Sequence, residues 1–177
     1  MTSSHGYYAY QDLVQTYSPN DLRYLPKEPT LYDKNSVFGF LLENNFTFFS
    51  YLFRTSKMDV RASQPQYNST LFVCSDHILS QQLGEEFFMN LDRSDMLKII
   101  NLHTLTAPIN EESLRSRRLS ILQTRDPTST ITIINNGNEL PLEVSVANRG
   151  GRVMSRQINC NNGIIYLLDR LLLPENF

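Results

Sequence analysis

Residues 162–174 read NGIIYLLDRLLLP, and no other stretch of the chain is so apolar. A run of this kind must be buried. Burying one aliphatic side chain stabilises a fold by about 1.5–3 kcal/mol, against a typical net stability of only about 5–15 kcal/mol. Asn162-Gly163 predicts a tight hairpin turn, and residues 164–168 a strand buried on both faces. Asp169-Arg170 predicts a bend at which the strand leaves one sheet for another. Leu171, Leu172 and Leu173 are expected to continue it until Pro174 ends ladder pairing. Asp169 and Arg170 are read as a local ion pair or a turn device, not as catalysts. A chain that ends this way needs a compact, β-rich body around its last segment.

That body is expected over residues 36–177. Ser36 is placed to cap a first helix carrying Val37, Phe38, Phe40 and Leu41, closed by Asn44-Asn45. A second helix is predicted over residues 47–57, with Phe49, Leu52 and Phe53 on one face. Residues 69–74 form a short buried strand, after which Ser75 or Asp76 caps a helical turn. Ser94 is expected to cap a further helix on which Met96, Ile99, Ile100 and His103 keep helical spacing. Beyond Arg115 the period changes to two. Leu119 and Ile121 fall in one strand, Ile131 and Ile133 in the next, and Leu142, Val144 and Val146 in a third. Asn136-Gly137 and Gly150-Gly151 read as turns. Helices first and strands later argue for an α+β fold rather than a doubly wound sheet.

Residues 1–35 differ in kind. They hold six of the nine tyrosines, Tyr7, Tyr8, Tyr10, Tyr17, Tyr24 and Tyr32, with Pro19, Pro26 and Pro29 and no hydrophobic period. Such a segment has no core of its own, and ordering it costs about 1–2 kcal/mol per residue in backbone entropy. It is expected to be an extended arm docked on its own domain or on neighbouring molecules. Tyrosine suits that role, with a large apolar ring, a hydroxyl and few rotors.

Two motifs resemble those of the fasciclin domain family. The closing segment, Asn162-Gly163 followed by aliphatic residues, Asp169 and Pro174, is similar to the family's last motif, with Tyr166 where histidine is usual. Upstream, Thr70, Leu71, Phe72 and Asp76 match the first motif, with Cys74 where proline is usual. Leu102-His103 stands where the family often has Tyr-His, so only His103 matches. The resemblance spans roughly residues 36–174. It implies a wedge of two β-sheets flanked by short helices, with no cofactor, and adhesion or matrix interaction as the usual occupation. It also suggests Asp76 as a hydrogen-bond partner for His103.

The residues that carry chemistry elsewhere are not arranged for it here. His5, His77 and His103 form no metal-ligand spacing with each other, with Cys74 and Cys160 or with carboxylates. Gly150-Gly151 is no phosphate loop, no Gly-X-Ser-X-Gly elbow occurs, and Ser75-Asp76-His77 are adjacent, which triad geometry forbids. His103 is read as a hydrogen-bonded core histidine. The two cysteines are expected as free buried thiols, a disulfide being the second reading. No catalytic, cofactor or metal site is expected.

Twelve of the sixteen basic residues are arginine, clustered at Arg115, Arg117, Arg118 and Arg125 and again at Arg149, Arg152 and Arg156. They read either as a strand edge kept from aggregating by charge or as a docking patch for an acidic protein surface. Nucleic acid fits less well, because the net charge is −2 and aromatic interleaving is missing there. The partner-binding candidates are therefore Tyr7, Tyr8, Tyr10, Tyr17, Tyr24, Arg115, Arg117 and Arg118. The start MTSSHGYYAYQDLVQ has neither a basic opening nor an apolar core, so no signal peptide is expected, and the sequons at Asn45 and Asn68 would stay bare. An unexported fasciclin-like domain with a tyrosine-rich arm suggests a structural protein of a larger assembly. A minor capsid (cement) protein of a large DNA virus is an example, with capsid proteins as partners. The alternative is a secreted or cell-surface adhesion module.

Overall fold

The computed structural model describes residues 32–147, 149–174 and 177. Tyr7, Tyr8, Tyr10, Tyr17 and Tyr24 lie outside the described residues. Residues 32–35 are tied to the body: the Tyr32 hydroxyl donates to Asp59 at 2.5 Å, and its ring meets Phe38 edge-on.

The first half is helical. The helices α1 (Val37–Glu43), α2 (Thr47–Thr55) and α3 (Asp59–Ala62) lead to strand β1 (Ser69–Val73). Then come α4 (Asp76–Gln82), α5 (Glu85–Met89), α6 (Arg93–Leu102), the two-residue strand β2 (Thr104–Leu105) and α7 (Glu111–Arg115). The second half is β3 (Leu119–Gln123), β4 (Thr130–Ile134), β5 (Glu143–Val146), β6 (Arg149–Arg152), β7 (Ile158–Cys160) and β8 (Gly163–Leu167). These strands make two four-stranded sheets, ordered β2-β1-β8-β7 and β3-β4-β5-β6. The fold is the expected α+β arrangement of two sheets flanked by short helices.

Local signals set several boundaries. The Ser36 hydroxyl accepts the Gly39 N–H, and the Ser75 hydroxyl accepts that of Ile78, so both serines cap as read. The cap of α6 is Asp92 rather than Ser94. Its carboxylate takes the Asp95 N–H while the Asp95 carboxylate takes that of Asp92, a reciprocal box that a serine inside the first turn does not form.

Strand β8 runs through the middle of the first sheet, parallel to β1 on one side and antiparallel to β7 on the other. The two-residue turn before it is Asn161-Asn162, one residue earlier than expected, and Gly163 already belongs to the strand. A Cβ on Gly163 would lie 2.4 Å from the Ser69 carbonyl oxygen. This glycine exists for the close approach of β1, not for a turn. Asn162 is buried and uses its whole amide, accepting from Val37 N–H at 2.7 Å and donating to Ala62 O and Gln64 O, both at 2.9 Å.

After β8 the chain does pass between the sheets. Leu168 N–H bonds Val73 O of the first sheet, whereas Asp169 N–H bonds Arg152 O at the end of β6. The Asp169 carboxylate then accepts the Arg152 N–H at 2.8 Å. Of the two expected roles, Asp169 takes that of the bend device and closes on backbone rather than on Arg170. Leu171, Leu172 and Leu173 do not continue as a strand. The Gln82 amide clasps Leu171 through both N–H and C=O, and Leu172 N–H donates to His103. Pro174 O accepts from the Arg149 guanidinium.

Two other turns were misplaced by sequence. Gly150-Gly151 lies inside β6, where side chains would strike Val144 O and Asp169 Oδ1. The bend before it carries Ala147 at φ +49°. Asn136-Gly137 is part of a longer loop, residues 135–142, held by Arg115.

Candidate interaction surface

The motif residues build the fold and are withdrawn from solvent. Leu71 and Phe72 are wholly buried on β1, and Phe72 stacks on Tyr166 of β8 with ring centroids 5.6 Å apart. The Thr70 hydroxyl donates to Ala107 O and accepts from Ile109 N–H, both at 2.8 Å. Asp76 does not pair with His103. Its two carboxylate oxygens accept the N–H groups of Thr47 and Phe48, capping α2, which has no cap of its own. Burial pushes this carboxyl above its usual range, partly offset by those two donors. His103 Nδ1 sits 2.7 Å from Ile99 O, and its Nε2 accepts from Leu172 N–H at 3.0 Å. Those partners require the neutral ring protonated at Nδ1, and burial lowers its pKa to about 4. The expected pairing fails because the carboxylate is spent on the start of α2 and the imidazole on Ile99 O and Leu172 N–H.

The thiols of Cys74, buried, and Cys160, half-buried, are free, and burial raises both pKa values, that of Cys160 to about 11. Neither is poised as a nucleophile. Among the described residues no group of three or more His, Cys, Asp or Glu is placed to hold a metal.

The arginine cluster divides. Arg115 spends its guanidinium inside the molecule, on Glu111, Asn135, Gly137 and Leu140. Arg125 lies over the Tyr67 ring and donates to Tyr67 O and the Ser69 hydroxyl. Arg117 and Arg118 are exposed just before β3 and make no ion pair among the described residues.

What they border is the outward face of the second sheet. The registers put Leu119, Ile134, Glu143 and Arg152 in one row across the four strands, and Ile121, Thr132, Ser145 and Gly150 in the next. The opposite face carries Ile131, Ile133 and Val144 into the core. Leu119 and Ile121 are therefore on the solvent side, 51% and 64% exposed. A period of two shows that a strand has two faces but not which is covered. The same face changes character along the rows, from apolar at β3 to charged at β6. There a cleft of about 570 Å³ opens between Glu143, Ser145, Arg152, Asp169 and Arg170. Asn136 hydrogen-bonds Glu143 at its rim. An aliphatic strip grading into charged residues suits contact with another protein better than capture of a small apolar ligand.

Comparison with known proteins places this geometry. A family model of the fasciclin domain matches residues 44–174. Among solved structures, the chain is similar to a FAS1 domain pair from the insect cell adhesion molecule fasciclin I, with a TM-score of 0.58 and 16% sequence identity. The match covers 75% of this chain and 47% of that one, so this chain spans about half the length of the pair. No curated protein matches in sequence. Among the described residues no helix is long and apolar enough to cross a membrane. With the closing strand, the Asn162 bracket and the two sheets all in place, this chain belongs to the fasciclin domain family, whose members are generally non-catalytic adhesion and interaction modules.

Proposed function

We propose that this chain is an adhesion module that binds a protein partner through the outward face of its second sheet. The observation that carries the reading is the pair of exposed aliphatic side chains, Leu119 and Ile121, beside the exposed Arg117 and Arg118, on a sheet whose other face is core. Exposed aliphatic side chains adjoining charge mark contact surfaces when they are contiguous, as these are on one strand. The likeness to a FAS1 pair from a cell adhesion molecule supports adhesion over the cement role in a virion expected from sequence, for which these comparisons give no support. Adhesion places the chain outside the cell, where the exposed Asn45 and Asn68 sequons would carry glycan.

Beads coated with the full chain test the reading. Wild type should cluster beads or attach cells, and a Leu119→Asp/Ile121→Asp variant with an unchanged circular dichroism spectrum should not. Attachment that survives both substitutions sinks the assigned face. A wild-type chain that attaches to nothing, and is recovered from its native source without glycan, sinks adhesion itself.

A further inference from the structure

Of the four strands that end the two sheets, three are poor templates for pairing. β2 has two residues, β7 has three, and β6 begins and ends in arginine and is crossed at its end by Asp169. The fourth is β3, whose five residues Leu119–Gln123 contain three aliphatics and no charge or proline. Natural edges are normally short, charged or covered. Its start is flanked by Arg117 and Arg118, and its far end meets β2, where Thr124 bridges Leu105.

The backbone direction can be read from the ladder. Asn135 N–H bonds Arg118 O, and Thr124 N–H bonds Ser129 O, in the same register as the rest of β3 and β4. Antiparallel pairing alternates, so residues 118, 120, 122 and 124 exchange bonds with β4. The N–H and C=O groups of Leu119, Ile121 and Gln123 point the other way. Consistently, the next odd-numbered residue, Arg125, sends its N–H to Thr104 O of β2. The edge closes at Gln123, because Thr124 bridges Leu105 of β2; among the described residues no backbone group meets the outward groups of Leu119 and Ile121.

We infer that the free edge of β3 is a strand-acceptor site for an extended acidic segment of a partner protein. The segment adds antiparallel to residues 119–121 and sets carboxylates against Arg117 and Arg118. This is backbone pairing for affinity with side chains for selection. The charges decide the occupant. A second copy of this chain would pair its outward groups by a two-fold centred on Ile121, bringing Arg117 of each copy beside Arg125 of the other. Among the described residues Arg125 donates to neutral oxygens only, so like charges would oppose each other at both ends of the ladder, an unfavourable arrangement. An antiparallel partner with acidic residues at its C-terminal end meets the arginines instead, while its alternate apolar side chains cover Leu119 and Ile121.

The inference rests on the interaction-module reading and deepens it, and the two can fail separately. The probe is a blocked peptide of three Thr-Val repeats ending in two glutamates, titrated into the isotope-labelled full chain. At saturation the amides of Leu119 and Ile121 should exchange on the order of tenfold more slowly with solvent. The same peptide ending in two lysines should bind about tenfold more weakly, as two charge pairs turned from attraction to repulsion would give. Arg117→Glu/Arg118→Glu should invert that preference. Ile121→Pro should abolish binding without unfolding the sheet, because the Ile121 N–H is outside the β3–β4 ladder. Binding that leaves these two amides unprotected overturns the assignment, as does a charge reversal that leaves the preference unchanged. Concentration-dependent dimerisation that protects the same amides without peptide makes a second copy the occupant and also overturns it. Peptide uptake by a chain that attaches to no bead or cell leaves the edge standing and removes adhesion; attachment without peptide uptake does the reverse.

Discussion

The two sheets have the same number of strands and opposite relations to water. The first, β2-β1-β8-β7, is enclosed by helices. All of β1 is buried, and Ile165 and Tyr166 of β8 are inaccessible. The second, β3-β4-β5-β6, packs one face inward through Ile131, Ile133 and Val144 and turns the other to solvent. Among the described residues the only parallel pairing belongs to the enclosed sheet, where it joins β1 to β8 across about half the chain. Parallel strands tolerate no wet face, whereas antiparallel ones do. Stability is therefore concentrated in the first sheet, and the surface free to vary and to bind is on the second.

Substitutions can break that contrast, and the largest effect should come from Gly163→Val. The new Cβ would sit 2.4 Å from Ser69 O, forcing β8 away from β1. A loss of about 4 kcal/mol or more, or failure to fold, is expected in urea denaturation. A variant melting within a few degrees of wild type would refute the close-approach role. Phe72→Ala removes the ring stacked on Tyr166 and should cost about 3–5 kcal/mol.

The third test is pH. His103 is neutral in the fold with a pKa of about 4, against an ordinary 6.5. Below pH 6.5 the unfolded chain takes up a proton that the folded chain refuses. The stability this residue supplies is thus complete above pH 6.5 and drains away as pH falls to about 4, by about 3 kcal/mol in all. Asp76, with its carboxyl raised by burial, acts in the opposite sense, so the measurement is the difference between wild type and His103→Gln. A difference that stays flat from pH 7 to pH 4 would show that the ring is not buried neutral.

The smallest effect belongs to the second sheet. Ile121→Thr keeps a β-branched side chain on an exposed position and should change stability by no more than about 0.5 kcal/mol. A cost like that of Phe72→Ala would mean that the outward face is covered after all.

Much of the architecture was legible because it is written locally. Caps at Ser36 and Ser75 depend on a side chain and an amide three residues on, and the change of period after Arg115 marks where helices give way to strands. Glycines were harder. A turn and a close backbone approach both demand glycine, so Gly163 and Gly150-Gly151 look alike on paper until the neighbouring strand is in place. The surface of interest was hidden for a similar reason: Leu119 and Ile121 carry the same alternation as Ile131 and Ile133, which are buried.

Sequence alone determined that the last apolar segment lies within a β-rich body, since Ile165, Tyr166, Leu168, Leu171 and Leu172 have no other way to leave water. It also determined the helix-then-strand order and the family to which the closing motif points. Only the tertiary structure decided that Asp76 caps α2, that His103 holds Leu172, and that β3 turns its aliphatic side outward. Hydrophobic period and capping are properties of neighbours along the chain. The partner of a carboxylate 28 residues away, or of an imidazole 69 residues away, is set by how the elements pack.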